Sequence, residues 1–519
     1  MTEARPGSVE FWAERTPGEL ALCEGDRALS WAEWNDAADR IAEVIGSHAL
    51  IAPGDRVAVC MHNRIEWFIS QAAIAKLDAL LVPVSPRLTP AETQYIVSDS
   101  GALAFLFDAE DVESMARVWM DAVSRVAVVL SVMRSERGDV LSFGHIAGRG
   151  KRVARYAASA PQSIVYTSGT TGRPRGVITK ETAPHKRSDT PAATDAPKSV
   201  RTAEGTVFER NLLGAPLTHA AGQASARSTH ILGGCVHVMP RFDAEEALQV
   251  IDREKITLSF LVPTMLSRVV NLPEQVRAKY DVSSIRMITT GASPCPQPVK
   301  EKVIQYFGAH CLYESYGSTE VGIVARMEPA DHLRKPGACG TLLEGVTVRL
   351  VDDQGRDVPA GADGEVLVRT PRMIERYLNE GAPKDLRDGF FAMGDIGRFD
   401  ADGYLYIVDR KKDMIIAGGV NIYPAEIEDA LRKHPAVVDV AAFGIPHPEL
   451  GEQVKAAVEL AQGATLTEAE LLSFVAGELA AYKRPRSVDF MRELPRNPAG
   501  KLLKAELRAP YWTGHEKRI

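Results

Sequence analysis

From Asp55 onward, short apolar runs alternate with amphipathic stretches. RVAVCM, ALLVPVS and ALAFLFD read as buried strands, and RIEWFISQAAIAKL reads as a helix between the first two. A second helix is predicted to open at Thr89 and Pro90, a capping hydroxyl followed by the residue best suited to a first helical position. Strand, helix, strand, helix, strand is the rhythm of a wound parallel sheet. It returns around NLLGAPL, LSFLVPTML and IRMITTGAS, which predicts a second sheet layer and one large α/β body reaching about residue 408.

The pattern then changes. VTVRLVDDQGRDVPAGADGEVLVRT is two alternating segments around Gly/Asp/Pro turns, an antiparallel β region closing the large body. In the last hundred or so residues Pro424 opens a helix through EIEDALRKH, and AVVDVAAFGI and VKAAVEL read as strands. Thr467 with Glu470 forms a capping box for a helix to about Leu479. The expected fold is α/β: a large N-terminal body of wound α/β sheets plus a β region, and a small mobile α+β C-terminal domain. The segment 179–207 carries Pro, Ala, Thr and charge with almost no large apolar residue, and is expected to be a mobile surface loop.

A chain of 519 residues exceeds one ordinary core, so two to four folding units are expected, and 45% hydrophobic content is enough to fill them. With 61 Lys and Arg against 68 Asp and Glu, the net charge of −7 gives no general attraction to nucleic acid or an anionic membrane. Any anion site must be local. The six cysteines, Cys23, Cys60, Cys235, Cys295, Cys311 and Cys339, show no CxxC pair and no short His/Cys spacing that suggests zinc, and read as reduced, mostly core thiols. The polar, acidic N-terminus is unlike a secretory signal, and no uncharged apolar stretch approaches the length of a membrane span, so a cytoplasmic protein is expected.

Thr167 to Gly176 reads TSGTTGRPRG. Glycines free the backbone, and small hydroxyls donate hydrogen bonds without filling the space an anion needs, so the run suits a loop wrapping phosphate oxygens. The strand-like lead Ser163, Ile164, Val165, Tyr166 places it at a sheet edge. Taken alone, it also fits a turn between domains. It is not the common NTPase phosphate loop, because Arg175 holds the basic position and the Gly-x4-Gly-Lys-Ser/Thr pattern is missing. No GxGxxG follows the early strands, which argues against an NAD-dependent dehydrogenase.

Four further segments follow: YGSTE at 316–320, GDIGRFDADGYLYIVDRKKD at 394–413, GGVNIYPAEIE at 418–428 and PRNPAGK at 495–501. In this order the five motifs resemble the AMP-forming adenylate synthetase superfamily of acyl-CoA synthetases, amino-acid adenylation domains and firefly-type luciferases. The likeness covers essentially the whole chain and is strongest to an acyl-CoA synthetase. It implies ATP, Mg²⁺ and coenzyme A as cofactors, and domains at 1–409 (ATP and acid binding), 410–412 (hinge, containing Lys412) and 413–519 (small, C-terminal).

The resemblance also implies roles. Thr167, Ser168, Gly169, Thr170, Thr171, Gly172 and Arg175 would hold phosphate, with Thr170 acting in catalysis. Tyr316, Gly317 and Thr319 would contact adenine and phosphate, and Glu320 would be the catalytic Mg²⁺ ligand, although Ser-Thr-Glu alone reads as a helix start. Gly291 and Ala292 would lie beside the adenine and acyl group. Asp395 would bind the ribose hydroxyls, and Arg410 would touch the nucleotide. Asp400 to Gly403 is a β-turn. Gly418 and Gly419 would approach the active site during thioester formation. Lys501 would be the catalytic ammonium, and His219 in PLTHAAG would stand at the mouth of the acyl pocket, though a lone His beside apolar residues is as readily a core residue. No acid stands between Pro216 and Gly222 to bind a substrate ammonium, which speaks against amino acids. Two departures stand out: Arg175 replaces the usual Lys, and Met393 replaces the usual Thr before Gly394.

The sequence thus points to an ATP-dependent carboxylic acid:CoA ligase that forms an acyl-adenylate and then a thioester, releasing AMP and pyrophosphate. The alternatives are a stand-alone adenylating enzyme loading a carrier protein, and a catalytically inactive nucleotide-binding relative. CoA is favoured because no carrier domain follows Lys501. The expected partner is a small-molecule carboxylic acid, with no nucleic acid and no transmembrane segment, and a homodimer is the working expectation for assembly.

Overall fold

The computed structural model describes residues 4–108, 114–115, 117–118, 126–133, 140–167, 174–178, 200–202, 205–207, 209–374, 376–380, 383, 385–417, 420–461, 463–496 and 502–513. The chain divides into two compact units. One comprises Met1–Ile323, Glu328–Ala330 and Pro371–Lys384, and the other Val324–Met327, Asp331–Thr370 and Asp385–Ile519.

The first unit holds two wound sheets. In the first, Leu141–Ser142, Val128–Ser131, Ala104–Phe107, Arg56–Cys60, Leu80–Val84 and Gln162–Thr167 run parallel in that spatial order, and Arg175–Ile178 closes the edge antiparallel. Helices cover these strands, so both faces are buried and the sequence shows unbroken apolar runs rather than alternation. The helix Pro90–Ser100 starts as the sequence predicts: Thr89 caps it, Glu92 completes the capping box, and Gly101 ends it in the left-handed region. The second sheet is a parallel ladder of Leu312–Ser318, Met287–Gly291, Leu258–Phe260, Arg210–Leu213, Cys235–Val238 and Leu20–Glu24, ended by antiparallel Arg27–Ser30.

The second unit contains two further sheets. Thr347–Val351, Gly364–Arg369, Phe390–Phe399, Leu386–Arg387 and Leu405–Arg410 pair antiparallel, as the alternating patterns require. The other sheet joins Val420–Ile422, Ile415–Ala417, Gly451–Leu460, Val437–His447 and Ser487–Met491. Helices Pro424–Arg432 and Glu468–Ala476 bury Ile427, Leu431, Leu471 and Val475 against it.

Two differences from the sequence reading have local causes. Part of the polar segment forms a hairpin, Val200–Thr202 against Gly205–Val207, whose strands carry the β-branched Val200, Thr202, Thr206 and Val207; residues 179–199, 203 and 204 lie outside the described residues. The helix expected to reach Leu479 ends at Ala476, before Gly477. All six cysteines are free thiols. Among the described residues no helix is long and apolar enough to cross a membrane.

Candidate active site

The hydroxyl-rich run connects two strands of a hairpin at the sheet edge, with Thr167 opposite Arg175 and Tyr166 opposite Gly176. Ser168, Gly169, Thr170, Thr171 and Gly172 lie outside the described residues. The base of the hairpin is held on both sides. Tyr95 donates its hydroxyl hydrogen to the Pro174 carbonyl at 3.1 Å, and Tyr166 donates to Asp99 at 2.6 Å. Burial, and then the Asp99 carboxylate, push the Tyr166 phenol well above its ordinary range and keep it a donor. Gly176 donates space: a Cβ there would come to 3.0 Å from the Ile164 side chain and 3.1 Å from that of Leu378, whose N–H donates to the Gly176 carbonyl at 2.7 Å. The Arg175 guanidinium stacks 4.0 Å from the centre of the Tyr377 ring, an arrangement that suits a planar fork better than an ammonium.

A second group of candidates lies along the carboxyl edge of the parallel ladder. Leu213, Phe260, Thr289 and Tyr313 stand abreast. The segments bearing His219, Gly291 with Ala292, and Tyr316 to Glu320 come at or beyond the ends of three of these strands, the edge where open α/β sheets bind ligands. A Cβ on Gly291 would sit 2.7 Å from the Ser315 carbonyl oxygen, so only glycine fits. Ala292 adopts φ +67°, a left-handed conformation that costs about 1–3 kcal/mol and is held by its surroundings.

Ser-Thr-Glu does not start a helix. Ser318 ends the strand Leu312–Ser318, and Thr319 and Glu320 form a turn into Gly322–Met327. The cause is tertiary: Gly317 lies against the Gly322 carbonyl so closely that no side chain fits, which fixes a tight reversal. The turn brings Glu320 to the end of the strand Gln162–Thr167, where Thr167 donates to Glu320 Oε1 at 3.2 Å. The N–H of Ile374 holds the Glu320 carbonyl at 2.9 Å. The carboxylate stays half-buried beside Thr167, a hard oxygen donor of the kind Mg²⁺ takes.

His219 sits at the N-cap of the helix Ala220–Ile231. Its Nε2 is shielded from water with no hydrogen-bond partner among the described residues, and the same holds for Nε2 of Gln223, one turn further on. Two such atoms on one helical face form a polar spot of the kind a bound ligand satisfies. Burial, then Arg87, lower the His219 pKa, so the ring is neutral at physiological pH. Gln223 was not singled out in the sequence, although its spacing of four residues from His219 is the signal for a shared face.

In the second unit, Asp395 is buried on the strand Phe390–Phe399 directly opposite Arg410, and Arg410 Nε pairs with Asp395 Oδ1 at 2.7 Å. Gly394, at φ +68°, makes the bend before Asp395, and its carbonyl accepts from the Lys411 N–H at 2.9 Å. Lys412 lies in the turn that follows. Asp400 to Gly403 form the expected β-turn, with the Gly403 N–H on the Asp400 carbonyl at 3.1 Å.

Sequence reading missed Asp409. This buried carboxylate accepts from the N–H groups of Arg410 at 2.7 Å and Ala425 at 2.9 Å, tying the strand end to the first turn of Pro424–Arg432. Burial pushes its pKa up to about 6, against the opposing pull of Lys504 and the two N–H groups and with help from Glu428. Burial works against charge on Lys504 as well, but Glu428 at 2.6 Å and Asp409 outweigh it and hold the pKa up. An acid next to Arg410 gives no sequence signal of burial. Gly418, Gly419 and Lys501 lie outside the described residues; on either side of the Lys501 segment, Arg496 and Leu502 form a β-bridge.

The AMP-binding enzyme family model matches residues 9–378, and the model of the AMP-binding enzyme C-terminal domain matches residues 426–501. An indoleacetate–CoA ligase of Aromatoleum aromaticum is 34% identical, with 96% of this chain and 97% of that protein covered. ScoC, a fatty acid–[acyl-carrier-protein] ligase of Streptomyces coeruleorubidus, is 33% identical, with 99% and 97% covered. Among solved structures, the o-succinylbenzoate CoA synthetase of Bacillus subtilis in complex with its acyl-adenylate intermediate is similar at a TM-score of 0.80 and 27% identity, covering 98% of each chain. The same enzyme in complex with ATP and magnesium ion is similar at 0.80 and 27%, covering 97% of this chain and 99% of that one.

Proposed function

The chain belongs to the AMP-binding enzyme family, and from that premise we propose that it is an ATP-dependent carboxylic acid:CoA ligase, forming an acyl-adenylate and then an acyl-CoA thioester. The observation that carries the reading is the hydrogen bond from Thr167 to Glu320, which joins the hydroxyl loop and the YGSTE acid, two segments far apart in sequence, at the carboxyl edge of a parallel ladder.

In the first half-reaction the acid's carboxylate attacks the α-phosphorus of ATP. Two anions must approach, and at 4 Å in an effective dielectric near 20 their repulsion is about 4 kcal/mol. Lys501 supplies the opposing ammonium, and the hydroxyls of Ser168, Thr170 and Thr171, with Arg175 and the backbone at Thr167, hold the phosphates. Glu320 would hold Mg²⁺, with the Thr167 hydroxyl orienting its carboxylate. Magnesium, when bound, neutralises the leaving pyrophosphate. Asp395 accepts from the ribose hydroxyls, Arg410 and the segment Gly291, Ala292, Tyr316, Gly317 and Thr319 complete the nucleotide contacts, and neutral His219 stands beside the acyl group. Gly418 and Gly419 serve the thiol step. The division at 410–412 into a large and a small domain is part of this proposal, supported by the separate sheets and cores on either side of the turn at 411–413. So are a cytoplasmic location, a homodimer and the absence of a nucleic-acid partner, which the net charge of −7 supports.

The second reading, loading of a carrier protein, is favoured by the likeness to ScoC. Incubation with ATP, Mg²⁺ and a panel of short, medium and long fatty acids, benzoates and larger ring acids tests both. Acid-dependent AMP release with consumption of CoA supports the first reading, and consumption only of a phosphopantetheinylated carrier supports the second. No acid-dependent pyrophosphate from any member overturns both in favour of an inactive relative.

A further inference from the structure

The cysteines that look scattered in the sequence are not all isolated in the fold. Cys235 and His237 stand two positions apart on the strand Cys235–Val238, so their side chains leave the same face of the sheet. The strand Leu20–Glu24 runs parallel beside it with Cys23 abreast of His237, which brings a third donor onto that face. Cys23 Sγ lies 3.6 Å from Cys235 Sγ, and the two sulfurs and a ring nitrogen of His237 fall within 4.8 Å of one another. Among the described residues this is the one group of three or more His, Cys, Asp or Glu side chains placed to share an ion.

Two sulfurs held about 2.3 Å from a tetrahedral centre stand about 3.8 Å apart, so the observed separation is already close to that of co-ligands. A disulfide would need the sulfurs to close to about 2.05 Å. The second observation is His237 itself: only 6% exposed, with Nε2 lacking a hydrogen-bond partner among the described residues. A buried imidazole nitrogen without a partner, on a ring beside two thiols, is costly unless something binds it.

We propose that Cys23, Cys235 and His237 form a site for a thiophilic divalent cation, Zn²⁺ by the chemistry of the donor set. On binding, the two thiols release their protons to solvent, and two thiolates with a neutral imidazole leave the complex uncharged, which suits its burial. Cys23 is only partly buried, which gives the ion an entry path and leaves a fourth position for water. The cluster lies toward the start of the ladder, with Cys235 abreast of Arg210, the first residue of its strand. The segments bearing His219, Ala292 and Glu320 leave from the other end, and soft sulfur donors do not compete for Mg²⁺. Bound Zn²⁺ would cross-link positions 212 residues apart and pin the N-terminal hairpin to the sheet.

The test is a Co²⁺ titration of the reduced, chelator-treated full-length chain without nucleotide. The expected result is one equivalent of tetrahedral, thiolate-ligated cobalt by its absorption, displaced by Zn²⁺, and at least tenfold weaker binding in Cys23→Ser, Cys235→Ser and His237→Gln. Zn²⁺ should raise the Tm of the wild type and not of these variants, and should slow alkylation of Cys23, a readout that needs no variant to fold. Absence of the cobalt–thiolate absorption, an unchanged spectrum in Cys23→Ser, or alkylation indifferent to Zn²⁺ would overturn the proposal. None of these readouts depends on ligase activity.

Discussion

In the proposed adenylation chemistry the smallest unit is Thr167 with Glu320, one hydroxyl donating to one carboxylate at 3.2 Å. Hydrogen bonds to charged groups contribute about 1.5–3 kcal/mol, so Thr167→Val should slow acid-dependent pyrophosphate release by roughly tenfold to a hundredfold. Glu320→Gln should slow it by on the order of a hundredfold and raise the Mg²⁺ concentration needed for half-maximal rate. Rates unchanged across a Mg²⁺ series in both variants would remove the pair from the mechanism. Asp409 makes a separate prediction about pH. Its pKa is raised to about 6 by burial, so between the ordinary aspartate range and pH 6 the folded chain holds a proton that the unfolded chain has lost. Stability therefore falls as pH climbs through that window, and the penalty is fully present above it. Asp409→Asn does not titrate. Its Tm should gain on the wild type as pH rises from 4 to 7, by an amount corresponding to about 2 kcal/mol, and a difference that stays constant across that range would contradict the assignment.

Strands and helices were legible in the sequence where one local signal decided them. RVAVCM and ALLVPVS could only be buried strands, and Thr89–Pro90 carried its own cap. The elements that were not legible depended on partners distant in the chain. YGSTE reads as a helix start until Gly317 meets the Gly322 carbonyl, and Cys23 is unremarkable until parallel pairing sets it beside His237. The hairpin of Thr167 and Arg175 shows both kinds of element. Its first strand was visible as an apolar lead, whereas the second, Arg175–Ile178, and Tyr377, which stacks on Arg175, were not. That stacking predicts that Tyr377→Leu raises the KM for ATP several-fold by freeing the guanidinium, with kcat less affected. An unchanged KM in steady-state assays would show that Arg175 needs no such support. Thr467→Ala serves as a contrast, because it removes the cap of Glu468–Ala476. It should cost about 1 kcal/mol in thermal unfolding and leave pyrophosphate release untouched.

The whole chain presents two compact units, and the proposed roles fall in both. Thr167, Arg175, His219 and Glu320 belong to the first, and Asp395, Arg410 and Lys501 to the second. The central claim is that Lys501 supplies the cation that lets a carboxylate attack a phosphate, and that this service is confined to adenylate formation. The most direct measurement follows each half-reaction separately in Lys501→Ala: pyrophosphate release from acid and ATP, and thioester formation from supplied acyl-adenylate and CoA. The account predicts a loss on the order of a hundredfold or more in the first with the second much less affected. Equal losses in the two half-reactions, or none in the first, would contradict it.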